Sequence, residues 1–393
     1  MVPREEIERR LDALRRGLAG AGIDAALLVQ NTDLAYFSGT NQQAHLLVPA
    51  EGEPRLLVRR TVERARDESP LPHIEPLRSL SGLAERIADA GLRPDASVGM
   101  ELDVLPAAGY LGYRRRLEGH ELVDCSQVVR EVRAVKTGWD LERMRGAAAQ
   151  VDRAARAVPR LIRAGISESK VQLEVEKELR EAGHQGQIRF RGFNQEMHYG
   201  QVLGGPSGAV PGYSDSPLCG PGPNPAVGKG ADGRVLEPGD PVIVDLVGGF
   251  DGWLADQTRT FFVGRAPADL RTAYATAVDI LRTAERELRP GAVPSELYEH
   301  ARERAAAAGL EEHFMGAGPD RVRFLGHGVG MEIDELPILA PGFDRPLEPG
   351  NVVAIEPKFV FPGRGAVGIE NMYAVTGDGC ETLTIAPEEL IEV

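Results

Sequence analysis

The segments LEPGDPVIVD (236–245) and LEPGNVVAIE (347–356) are one device written twice. Each opens on Leu-Glu-Pro-Gly, continues through Asp or Asn, and runs into a β-branched strand that ends on a carboxylate. Asp245 and Glu356 therefore hold equivalent places. Upstream, a helical pair over 140–183 has a counterpart over 268–308, and each pair is broken by a glycine, Gly165 or Gly291. A chain that repeats helices, a turn and an acid-bearing strand in this order is expected to fold as two related halves about a pseudo-two-fold axis. The cleft between such halves is a natural ligand site.

The repeat accounts for only part of 393 residues. Before it, residues 4–20 read as an amphipathic helix, DAALLVQ (24–30) as a short buried strand, and HLLVPA with PRLLVRR as a hairpin. Helical stretches near 81–91 and 107–117 flank the strand-like SVGMEL, so an α/β N-terminal domain is expected, closing near VVREVRAVK (128–136). A long helix is expected to start at Asp140 and stop at Ala164–Gly165, and a second to follow Ser167 as its N-cap and run to Gly183. Residues 203–233 are so rich in glycine and proline that they read as loop.

Charge and cysteine usage narrow the classes of function. The net charge is −14 and no basic block occurs, which excludes nucleic acid or an anionic membrane as the main partner. Cys125, Cys219 and Cys380 lie far apart, outside any Cys-x-x-Cys pattern, so neither a disulfide framework nor a thiolate zinc site is expected. The N-terminus is charged and amphipathic, and no apolar run reaches the roughly 18 residues of a membrane span. A cytoplasmic location is expected.

The chemistry concentrates in VIVDLVGGFDGWLADQTRTFF (242–262), two apolar stretches around a glycine-rich turn. A regular hairpin centred between Phe250 and Asp251 would set Asp245 opposite Asp256, with Cβ atoms roughly 4.5–5.5 Å apart. Two buried carboxylates that close repel by about 4 kcal/mol at an effective dielectric of 20, so one protonates or a cation lies between them. VVAIEPKFVF and GAVGIENMYAV around PGRG repeat the device, with Glu356 opposite Glu370 if the hairpin carries a one-residue bulge. His327, inside FLGHGVG, adds an imidazole.

Four carboxylates carry a charge that two divalent ions would neutralise. Oxygen-rich ligation with a single imidazole suits Mn²⁺, and less selectively Co²⁺, Fe²⁺ or Zn²⁺. Two such ions can share a water, lower its pKa and polarise a carbonyl, which implies hydrolysis of an amide-like bond. Glu356 is the residue expected to take the water's proton, and the glycines around His327 are expected to let substrate approach the backbone. Taken singly, an Asp in a hairpin or a Gly-His-Gly is most often a plain surface or loop residue. The matched registers and the repeat are what favour a shared metal centre.

Asp245, then Asp256 inside DQTRT, His327 inside GHGVG, Glu356 before Pro357 and Glu370 inside GIEN resemble, in order, the five metal ligands of one superfamily. It contains methionine aminopeptidases, Xaa-Pro aminopeptidases, prolidases and creatinases. The resemblance covers nearly the whole chain. It implies an N-terminal domain over 1–133 and an α+β "pita-bread" catalytic domain with an internal pseudo-two-fold repeat over 134–393. It also implies two metal ions, Glu356 as general base, and commonly a homodimer in which the N-terminal domain reaches a neighbour's active site.

The chain departs from the proline-specific pattern in several places: Asp245-Leu246-Val247 stands for Asp-x-Gly, Trp253 for a common Tyr, and two expected histidines are replaced. After GHGVG those enzymes usually read Val-His-Glu, where this chain has Ile333-Asp334-Glu335. GPNPAVGKG resembles a segment in which the family carries another active-site histidine, and here it offers Lys229. A lysine could serve an oxyanion and an aspartate an amine. Thr258 and Arg259, beside Asp256, are placed to support ligating carboxylates by hydrogen bonds. His198, with Arg191 and Glu196, is a weaker candidate for the cleft wall.

The expected activity is that of a dinuclear metallohydrolase of the Xaa-Pro aminopeptidase or prolidase type, acting on a small peptide. The alternative is a creatinase-like hydrolase or a lyase acting on a non-peptide small molecule. A non-catalytic binding module is the third reading, and the intact set of five ligand residues counts against it.

Overall fold

The computed structural model describes all 393 residues. Two compact units divide the chain, Met1–Arg133 and Ala134–Val393.

In the first unit, helix α1 (Arg4–Gly20) turns Ile7, Leu11, Leu14 and Leu18 inward at spacings of three and four, as an amphipathic helix must. Around it come β1 (Ala25–Leu28), α2 (Asn31–Ser38), β2 (Ala44–Pro49), β3 (Arg55–Val58), α3 (Val62–Glu68) and β4 (His73–Pro76). They are followed by α4 (Leu83–Asp89), β5 (Ser97–Met100), α5 (Ala107–Arg116), β6 (Glu121–Asp124) and α6 (Ser126–Ala134). The six strands form one mixed sheet in the order β4-β3-β2-β1-β5-β6, with β2 and β3 paired antiparallel as the expected hairpin.

The second unit begins with α7 (Gly138–Leu161), whose N-terminus is closed by a capping box between Thr137 and Asp140. The helix starts two residues earlier than the apolar spacing suggested and ends three before Ala164, where Pro159 already denies it an amide donor. Helix α8 (Glu168–Glu181) is capped by the Ser167 side chain, which accepts from the Lys170 amide. A short strand, β7 (Gly200–Gly204), and a 3-10 turn (Gly205–Ala209) then enter the glycine- and proline-rich stretch that the sequence suggested was loop throughout.

The first half of the repeat is the long hairpin β8 (Pro241–Phe250) and β9 (Trp253–Phe262). Both strands are buried along nearly their whole length. A Cβ at Gly248 would meet the Ala147 carbonyl at 2.3 Å, so glycine there is what lets α7 lie directly on β8. Helices α9 (Ala268–Glu287) and α10 (Pro294–Ala307) open the second half. It continues through β10 (Gly326–Gly328), β11 (Glu335–Leu339), β12 (Val352–Ile355), β13 (Lys358–Phe361), β14 (Gly365–Gly368) and β15 (Asn371–Val375).

The repeat is structural down to its turns. Gly239 and Gly350 have φ of 95° and 94°, a backbone region open mainly to glycine. The Asp240 side chain accepts from the Glu237 amide at 2.7 Å, and the Asn351 side chain accepts from Glu348 at 2.9 Å. Gly239 donates to the Val263 carbonyl and Gly350 to that of Val375, so each turn is tied to the far end of its own hairpin. A core that includes Phe262, Tyr274, Leu281, Phe359 and Tyr373 backs these sheets.

Candidate metal centre

The β8–β9 turn differs from the expected one. Asp251 and Gly252 both have positive φ, 48° and 86°, so Asp-Gly is the two-residue turn. The register moves by two, pairing Asp245 with Thr258 and Asp256 with Val247. The two acids still share a face, because side chains repeat every second residue, but they are diagonal neighbours. In the other hairpin, Ile355 pairs with Asn371 and Lys358 with Gly368; the ladder is interrupted between them, but the two pairings share one register, which sets Glu356 across from Glu370 without the expected bulge. The two halves are therefore unequal: Thr258 faces Asp245 where Glu370 faces Glu356.

Thr258 turns this inequality into a tie. Its Oγ1 lies 3.0 Å from Asp245 Oδ1 and 2.7 Å from Glu370 Oε2. Its carbonyl accepts from the Glu370 amide at 3.1 Å, which holds β9 to the start of β15. Arg259, almost fully buried, donates Nη1 to the Thr258 and Glu370 carbonyls and Nη2 to Asn371 Oδ1. Gln201, on β7 directly opposite Asp245, reaches Asp245 Oδ2 at 3.4 Å.

His327 is carried by β10, where it pairs with Ala354 of β12. The glycines on either side are needed for the protein's own backbone. A Cβ at Gly326 would meet the Ala354 carbonyl at 2.0 Å, and one at Gly328 the Leu336 carbonyl at 2.2 Å. The room expected for substrate is taken by neighbouring strands. Glu335 secures the following loop: Oε1 accepts from the Met331 and Glu332 amides, and Oε2 lies 3.0 Å from Lys136 Nζ.

One ligand atom each from Asp256, His327 and Glu370 lies within 4.8 Å of the others. His327 Nε2 is 3.5 Å from Glu356 Oε1 and 3.9 Å from Asp256 Oδ2. Asp256 Oδ1 and Glu370 Oε1 are buried with no hydrogen-bond partner. Buried anionic oxygens are costly when unpaired, so these orphans, on two acids that converge with His327, fit a divalent cation. Sequence reasoning missed Lys358, whose buried Nζ sits 2.5 Å from Glu356 Oε2 and 3.1 Å from Glu370 Oε2. The signal was a lysine inside an apolar strand, two residues after a candidate ligand.

The other candidates fall elsewhere. Lys229 and the exposed His198 line a cavity of about 1020 Å³ whose wall includes Glu196 and Tyr213 and which meets Asp245 through Gln201. Asp334 is half-buried and its Oδ1 accepts from the Arg191 amide at 3.4 Å. Burial raises its carboxyl above the usual range, against the pull of His327. The Arg191 guanidinium lies 3.6 Å from Glu332.

Burial, then Glu370 and Asp245, hold the Asp256 carboxyl well above its ordinary pKa. Burial pushes Glu370 up to about 7, against the attraction of Lys358. A carboxyl raised in the folded state favours the metal-free fold when protonated. That contribution is lost as pH rises from the unfolded value near 4.5 through about 7. A bound cation reverses the cost of ionisation. The gain in Tm on adding Mn²⁺ to chelator-treated protein should therefore grow between about pH 5.5 and 8. A gain independent of pH would show that these acids do not hold the ion.

Comparison with known proteins decides the family. Residues 142–377 match the model of metallopeptidase family M24, and residues 10–135 that of the creatinase/prolidase N-terminal domain. The chain belongs to metallopeptidase family M24. It is 28% identical to a probable dipeptidase, PepE, of Mycobacterium tuberculosis over 99% of this chain and 97% of that protein. It is 25% identical to an Xaa-Pro dipeptidase of Pyrococcus furiosus over 98% and 100%. Among solved structures, an Xaa-Pro dipeptidase from Bacillus anthracis superposes with a TM-score of 0.84 at 26% identity, covering 98% of this chain and all of that one. The fold is the pita-bread fold with its N-terminal α/β domain, and the protein is a metal-dependent hydrolase. No helix is long and apolar enough to cross a membrane.

Proposed function

We propose that the protein is a dipeptidase that cleaves the amide bond of small peptides ending in proline, with Asp245, Asp256, His327, Glu356 and Glu370 holding two divalent ions, Mn²⁺ by preference. The convergence of Asp256, His327 and Glu370 on one point, with two orphaned carboxylate oxygens, carries this reading. Oxygen donors with one imidazole match Mn²⁺ best. When bound, the ions activate a water and polarise the scissile carbonyl.

The protein's own groups supply the rest. Glu356 accepts the proton of the attacking water and passes it to the leaving nitrogen. Thr258 and Arg259 hold the Glu370 side chain and backbone so that its carboxylate stays aimed. Asp334 faces the substrate's amine, and Lys229 and His198, on the cavity wall, meet its far end.

Three separate free cysteines suit a reducing cytoplasm. Family resemblance supports a homodimer. A non-peptide substrate is less favoured, because the relatives named above are dipeptidases.

A panel of Xaa-Pro and non-proline dipeptides, assayed with added Mn²⁺, tests the reading. Turnover should be highest for Xaa-Pro and vanish with chelator. No peptide turnover by fully loaded enzyme would overturn it in favour of a non-peptide C–N bond.

A further inference from the structure

Lys358 has only acids of the proposed ligand set as side-chain partners, Glu356 and Glu370. Lys358 pairs across the β13–β14 hairpin with Gly368, and a Cβ at Gly368 would come within 2.6 Å of Lys358 Cγ. The same Cβ would also lie 2.7 Å from the Pro357 carbonyl and 2.9 Å from Lys358 Cα, so glycine at 368 serves the hairpin backbone as well as the lysine stem. A buried ammonium is costly unless paired, and here the pairing is with groups that also face the cation site.

The hydrogen bonds divide the donor atoms into two groups. Lys358 engages Glu356 Oε2 and Glu370 Oε2, Thr258 engages Asp245 Oδ1, and Gln201 lies 3.4 Å from Asp245 Oδ2. Left over are Asp256 Oδ1 and Glu370 Oε1, without partners, and Glu356 Oε1 beside His327 Nε2. Glu356 thus turns Oε1 to His327 and Oε2 to the ammonium, Glu370 keeps Oε1 free while Lys358 holds its Oε2, and Asp256, His327 and Glu370 bring one ligand atom each within 4.8 Å of the others.

We propose that Lys358 is a resident cation that competes with one of the two metal ions. The first divalent ion enters on the His327 side with Lys358 in place. The second must displace the ammonium from Glu356 and Glu370. This inference rests on the two-ion reading above and adds that loading is stepwise because of this chain's own lysine.

Mn²⁺ titration of chelator-treated full-length protein, followed by calorimetry and by elemental analysis after equilibrium dialysis, tests it. The wild type should take one ion per chain tightly and a second about tenfold or more weakly, because like charges a few ångströms apart repel strongly inside a protein. Lys358→Met, of similar length and no charge, should narrow that gap by about tenfold or more, whereas Lys358→Arg should keep it. Should Lys358→Met fail to fold, Lys358→Gln carries the same comparison. Two steps of equal affinity in the wild type, or a gap unchanged in the folded neutral variant, would overturn the proposal and leave the two-ion centre standing. Uptake of no ion at all would overturn both.

Discussion

Replacing Asp256 with alanine should abolish metal uptake and slow hydrolysis roughly 10³-fold while leaving the metal-free protein as stable as its parent, or more so. Asp256 is 5% exposed, on a strand buried on both faces, and its Oδ1 has no partner. Its carboxyl is pushed up by burial first and then by Glu370 and Asp245, so in the metal-free fold it costs stability rather than adding to it. Removing it relieves that repulsion and leaves only a small cavity. The loss appears when cation is supplied. Activation of water and polarisation of a carbonyl are worth several kcal/mol, and about 4 kcal/mol corresponds to roughly a 10³-fold fall in rate. Thermal melts with chelator and with Mn²⁺, together with elemental analysis, separate the two effects. The Mn²⁺-dependent rise in Tm should disappear, and the chelated Tm should hold or increase. A variant that binds ions as tightly as the parent would remove Asp256 from the centre.

The sequence discloses the repeat because its turns are chemically expensive to build any other way. Leu-Glu-Pro-Gly followed by Asp or Asn needs a positive φ at the glycine and a side-chain acceptor for the glutamate amide, and both copies have them. Its strands, helices and caps were legible for the same reason: apolar spacing and capping residues are local. The β8–β9 register was misread although its signal was present. Asp-Gly is a strong two-residue turn signal, and taking Asp251-Gly252 as the turn gives the observed pairing. What no local pattern could supply is which partner faces each acid. Thr258 and Glu370 are 112 residues apart in sequence yet share a hydrogen bond. Lys358 stands out as a lysine in an apolar strand, but which acids it meets emerges only with the tertiary fold. Gly326 and Gly328 looked like openings, and tertiary contacts alone show that neighbouring carbonyls fill them.

Glu356→Gln should lower kcat by about 10²–10⁴-fold, the usual worth of a general base, with KM little changed. Glutamine keeps the shape and one oxygen but cannot take up a proton. Glu356 Oε1 lies 3.5 Å from His327 Nε2, and Oε2 is held by Lys358 at 2.5 Å. The amide oxygen can still face the cation, so the variant keeps a ligand while losing the base. Two measurements distinguish a lost base from a lost ligand. If the residue acts as the base, ion content at saturating Mn²⁺ stays at the wild-type value while kcat falls. The acidic limb of the kcat profile, which reports the base in its substrate complex, should also disappear. If Glu356 serves only to hold metal, excess Mn²⁺ restores most of kcat and the acidic limb survives. That second pattern would require the proton acceptor to be sought among the other acids around His327.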